Sequence, residues 1–254
     1  MSIDLVFIVM LVGHVLADFY IQTEKLVERR KTSIGAVLLH GLIYSICIVI
    51  VFVICIPITA NSIFLMCAVS LAHILIDVVK YCCIRKGNRS SWIKKHIFIV
   101  DQLAHYITLL LCWGIWGRQA EVRWFVSQEM VYLPYLPITI FLGVLCILKP
   151  VSIFITNTEL WNHKTSINKD NVPSSDTKEA GKIIGYMERL IIFLLLMYNQ
   201  FSAMAFVLTA KSVARFKEIE QDKNKAEYYL IGTLLSVVSA FAITVLLGLC
   251  KKGS

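Results

Sequence analysis

Seven ionisable side chains recur at matched spacing in the first half of this 254-residue chain. His14 and Asp18 stand four residues apart, and His73 and Asp77 repeat that spacing. Asp101 and His105 reverse its order, and His40 stands alone between the pairs. On a helix, residues four apart share a face and lie about 6 Å apart along the axis. Each pair therefore addresses one direction. Imidazole and carboxylate together suit a divalent metal such as zinc, manganese or iron. These residues are enough for one ion or for two, with zinc or manganese the best match. A catalytic ion keeps a coordination position for water and makes that water more acidic. Asp18, Asp77 and Asp101 are then candidates both for ligation and for general-base work.

The elements that must position these groups are apolar. Hydrophobic residues make up 57% of the chain, and mean hydropathy is +0.71, well above an ordinary soluble domain. Apolar runs near the ~20 residues needed to cross a bilayer recur throughout. The fold class is an all-α, polytopic transmembrane bundle of about eight helices with no soluble domain. Segments are expected at 3–22, 33–56, 62–84, 97–116 and 136–156, then two short helices within 183–210 turning at Asn199 and Gln200, and a last one at 228–250. A single long helix over 183–210 is the alternative. The organisation reads as a four-helix half carrying the His/Asp set (1–117), an outer interfacial segment rich in Trp and Tyr (118–137), and a second half (138–254) with a polar cytoplasmic loop at 157–182. The first run carries His14 and Asp18 and lacks a basic leader and a small-residue cleavage site, so it is not a cleaved signal peptide.

The net charge of +8 is explained by membrane orientation. Lys25, Arg29, Arg30 and Lys31 follow the first segment, and Arg85, Lys86, Arg89, Lys94 and Lys95 follow the third. Basic loops stay in the cytoplasm, which sets the N-terminus outside. No nucleic-acid motif is present. The eight cysteines lie in or beside apolar runs without a C-x-x-C, and read as small buried hydrophobes.

This topology brings the His/Asp set to one depth. At 1.5 Å per residue, all seven groups fall roughly 6–16 Å from the cytoplasmic ends of their helices, where four helices can close one polar site. Ionisable groups inside membrane helices are costly and face a bundle interior. Gln22, Tyr44, Lys80 and Gln102 are candidates for supporting or substrate contacts, with Asp77 and Lys80 a possible i, i+3 pair. A second polar set, Glu188, Arg189, Lys211, Arg215 and Glu227 with Lys149, suits recognition of an anion such as a phosphate. His96, at a membrane edge, and His163, in a loop, are left out of the site.

The stretches GHVLADFYIQT at 13–23, LLHGLIY at 38–44, HILIDVVK at 73–80 and DQLAHY at 101–106 resemble an uncharacterised bacterial membrane-protein family, domain of unknown function 3307. IGYMERLIIF at 184–193, AKSVARF at 210–216 and AEYYLIGTLLS at 226–236 are similar to it as well. The resemblance implies a bacterial cytoplasmic membrane and brings no activity. A looser likeness is to integral-membrane metal-dependent hydrolases. The leading expectation is a hydrolase acting on a phosphoester or related bond of a lipid-like substrate. The alternatives are a divalent-cation or proton-coupled transporter, or a non-catalytic membrane component.

Overall fold

The computed structural model describes residues 5–85, 91–120, 135–157, 175–214, 216, 220 and 223–248, without the side chains of 91–96, 135–136, 157, 175–180 and 223–228. The described residues are all-helical and contain no strand. They form two compact units, Met1–Leu142 and Gly143–Ser254.

In the first unit, helix α1 (Leu5–Val15) runs into a π-helical turn (Leu16–Ile21). The chain then bends by 93° into α2 (Glu24–Arg30). Long helices α3 (Ile34–Cys55), α4 (Ala60–Arg85) and α5 (Ser91–Ile115) follow, with a 3₁₀ turn at Gly117–Gln119. Helix α6 (Tyr135–Asn157) begins in this unit and ends in the next. The expected segment at 3–22 is thus a helix with a widened last turn. The stretch expected as a basic loop contains a helix of its own. Thr23 caps α2, its hydroxyl accepting from the Leu26 amide at 3.3 Å, and Arg29 and Arg30 in the last turn complement the dipole.

The inward face of each long helix is a stripe at helical period. On α3 it is Ala36, Val37, His40, Gly41, Tyr44, Cys47, Ile48 and Phe52. On α4 it is Ser62, Leu65, Val69, His73, Asp77 and Tyr81. On α5, Asp101, Gln102, His105, Leu109 and Cys112 are buried. The outward faces are apolar, with Leu39, Leu42, Ile46, Leu71, Leu75, Leu103, Ile107 and Leu111 among the exposed side chains. Polar groups inside and apolar groups outside are what a lipid solvent selects. Above the polar layer, Val6, Val9, Met10, Ile48, Phe52, Leu65, Val69 and Leu109 form an apolar core.

In the second unit, α7 (Ser175–Met197) and α8 (Phe201–Ala214) flank a turn at which Asn199 takes φ 54°. Asn tolerates this left-handed conformation better than most residues. The two-helix expectation for 183–210 matches this turn. The polar loop expected to reach residue 182 instead gives way to helix at Ser175, where the helix formers Lys178, Glu179 and Ala180 extend α7 backwards. Helix α9 (Lys223–Leu246) packs on α7 through Ile192, Leu196, Val237 and Ala240.

Five described helices are long and apolar enough to cross a membrane, α3, α4, α5, α6 and α9; the pair Leu5–Ile21 and Glu24–Arg30 passes the same length and composition test only when its two bent arms are taken together as one span. Helix α8 has 14 residues, about 21 Å, short of the ~30 Å hydrocarbon thickness. The chain is thus a multi-pass membrane-type helical protein. The described cysteines are all free.

Candidate metal centre

Four helices and the bend after α1 deliver the polar layer. Asp18 lies in the π-helical turn, a feature often found at functional sites. The turn is held by the Gln22 side chain, whose Nε2 donates to the Asp18 main-chain carbonyl. Asp18 Oδ1 is 3.2 Å from His40 Nε2. His40 Nε2 is 3.3 Å from His73 Nε2. Asp77 Oδ2 lies 3.6 Å from His40 Nε2 and 3.5 Å from His73 Nε2. All four side chains are at least nine-tenths buried. Donors about 2.0–2.2 Å from a tetrahedral ion are separated from one another by about 3.3–3.6 Å. The observed separations match that edge length.

The donor set can hold an ion in two overlapping ways. Ligand atoms of Asp18, His40 and His73 lie within 4.8 Å of one another, and so do those of His73, Asp77 and His105. The Nδ1 atoms of His40 and His73 have no hydrogen-bond partner among the described residues. Packing orients these rings instead: Tyr44 stacks on His73 with centroids 3.5 Å apart and planes 3° apart. His14 Nδ1 lies 3.2 Å from the Tyr44 hydroxyl. His105 lies 4.4 Å from His73, centroid to centroid.

Two cations meet the carboxylates, and one of them escaped the sequence reading. Arg30 Nη2 donates to both oxygens of Asp77 at 2.9 Å. Its Nη1 donates to Gln22 Oε1 at 2.8 Å and lies 3.9 Å from Asp18 Oδ1. Arg30 reads in sequence as one of four basic loop residues. In the structure it shares the inward face of α2 with buried Leu26, four residues earlier, and points back over the site. An i, i+4 apolar–basic spacing after Thr23, which caps α2, was the available signal. Lys80 is also corrected. It pairs with Asp101 Oδ2 at 2.5 Å, not with Asp77, because Arg30 occupies Asp77. Gln102 Nε2 donates to Asp18 Oδ2 at 3.0 Å.

All seven His and Asp residues, with Tyr44 and Gln102, thus lie in one buried layer, and half-buried Gln22 and Lys80 reach it from its edge. The second polar set stands apart from them in sequence and is engaged locally. Lys211 Nζ lies 2.5 Å from Glu188 Oε2. Arg189 is buried, and its Nε donates to the Ile147 carbonyl at 3.1 Å. Arg215 and the side chain of Glu227 lie outside the described residues, as do the His96 side chain and His163.

A family model described as a protein of unknown function, DUF3307, matches residues 6–133, just over half of the chain. The matched stretch contains the whole buried His/Asp layer with Arg30 and Lys80, while the similar stretches at 184–236 fall outside it. No curated protein and no solved structure matches the chain. The chain belongs to the DUF3307 family.

Proposed function

We propose that the first unit is an intramembrane divalent-metal centre, with the ion held by Asp18, His40 and His73. The observation that carries this reading is the meeting of donors from three separate helical segments at 3.2–3.3 Å. Asp77 stands beside both imidazoles, held by Arg30. It is the carboxylate nearest the remaining coordination position, where it joins the ion or takes a proton from a bound water. Three protein ligands and an open position are the pattern of catalytic zinc sites. The ion would supply a Lewis acid and an acidified water. The reaction that fits best is hydrolysis of a phosphoester or related bond in a lipid-like substrate.

Charge supports a location in this reading. Exposed Lys25, Arg29 and Lys31 flank the site, in keeping with the cytoplasmic face of a bacterial inner membrane. Helix α2, at 93° to α1, lies as an interfacial helix there. Glu188, Arg189 and Lys211 play no part in this reading, since they are already engaged within the second unit.

The test is the metal content of purified, folded protein. The wild type retains a divalent ion, and Asp18→Asn and His40→Ala lose it. A wild type that stays folded and binds no zinc or manganese ends the proposal. The contiguous contacts from Asp18 through His40 and His73 to Asp77 also suit movement of a cation or proton. Flux into proteoliposomes that is abolished in Asp77→Asn, with no hydrolysis of lipid phosphoesters, favours that second reading.

A further inference from the structure

We infer that a second divalent ion binds beside the first, on the side of His105 and His14, making the centre dinuclear. This rests on the metal reading above and adds a separate site to it. The argument begins with a proton. His105 Nδ1 lies 2.8 Å from the main-chain carbonyl oxygen of Asp101. A carbonyl only accepts, so Nδ1 carries the hydrogen, and Nε2 presents a bare lone pair. That Nε2 is buried and has no hydrogen-bond partner among the described residues. A ligating histidine is oriented in this way, its other nitrogen donating to a carbonyl behind it.

His14 lies alongside it. Its Nδ1 meets the Tyr44 hydroxyl, which can accept or donate; with that hydroxyl accepting, the buried Nε2, which has no hydrogen-bond partner within 3.5 Å among the described residues, is left as a ligand atom. The His14 and His105 rings lie side by side, centroids 5.4 Å apart and planes 29° apart. Between them and His73 is a cavity of about 10 Å³, which Tyr44 and Thr108 also line. That is room for a single water-sized group or ion.

A carboxylate near His105 is that of Asp77, which clusters with His105 and His73 within 4.8 Å, a group that leaves out His14. His73 belongs to both groups and its Nε2 can serve only one ion; with both positions filled it stays with the first, and the second keeps His105 and Asp77 with His14 on the far wall of the cavity. Asp77 has two oxygens and can bridge. Paired metals lie about 3.5–4 Å apart, a spacing one carboxylate spans. The charges then name a substrate class. Asp18, Asp77 and Asp101 face Arg30 and Lys80, so two divalent ions leave the centre strongly positive. An anionic group such as a phosphoester completes it.

The experiment strips the purified full chain with chelator, reloads it with manganese, desalts it and counts metal per chain. About two ions per chain are expected for the wild type, and about one for His105→Ala and for His14→Ala, in keeping with a two-metal site. One ion in the wild type overturns the second site and leaves the first standing; none overturns both. Two ions in both variants overturn the assignment to these histidines. Melting and gel filtration check that the variants fold. Should they not, the electron paramagnetic resonance spectrum of manganese-loaded wild type decides. Spin coupling between neighbouring ions supports the pair, and an uncoupled signal overturns it.

Discussion

Arg30 is the residue on which the electrostatics of the centre turn. It supplies a guanidinium to a carboxylate that is only 2% exposed. Removing one partner of a buried pair leaves the other charged and uncompensated, at about 3–5 kcal/mol. Arg30→Ala should therefore lower the melting temperature sharply in detergent, measured by a fluorescence melt. Arg30→Lys should recover part of that loss, because one ammonium cannot reach Gln22 and both Asp77 oxygens as a planar fork does. Equal melting of wild type and Arg30→Ala would show that the pair contributes nothing. Tyr44 has two separable roles. Tyr44→Phe keeps the ring stacked on His73 but strips the hydroxyl from His14, costing about 1–3 kcal/mol for a buried group left unpaired. The first ion should stay bound in that variant, read by metal analysis, since Asp18, His40 and His73 are untouched.

At the scale of elements, the site depends on how closely α3 and α4 approach. Gly41, beside His40, is where they meet. A Cβ there would lie 2.5 Å from Ile74 Cγ1, closer than packed atoms come. Gly41→Ala should push the helices apart and separate His40 from His73. Metal affinity should fall about tenfold or more, as when a supporting contact is lost, and Ile74→Ala in the same chain should restore much of it. Titration with zinc against a competing chelator measures both. The stripes on α3, α4 and α5 were legible in sequence, because a helix that buries one face repeats its choices every three or four residues. The π-helical turn and α2 were not. A π turn has no pattern of its own, and a seven-residue helix is too short to stand out against the loop charges around it.

Among the described residues, the apolar helices of the first unit invert a soluble protein, with His and Asp inside and leucine, isoleucine and phenylalanine outside. The orientation of the whole chain is open to test. Reporter domains fused after Lys31 should be active only if cytoplasmic, and those fused after Thr59, in the turn between α3 and α4, only if exported. The reverse pattern would move the His/Asp layer to the outer face. In the second unit, Glu188 and Lys211 join α7 to α8 across the Asn199 turn. Sequence alone reads these residues as candidate anion contacts. The hairpin brings the two charges to the same level, because they are almost equidistant from the turn.

What the amino-acid order determined by itself was the solvent and the chemistry. Runs of apolar residues require lipid, and His and Asp spaced by four within them require an interior that tolerates charge. What only the tertiary structure decided was the partnership among those groups. Asp18 lies against His40, His14 against Tyr44, Asp77 beneath Arg30 and Asp101 against Lys80. Spacing along one helix fixes which face a side chain takes. Which neighbour fills the few ångströms in front of it depends on the crossing of helices and on one right-angled bend.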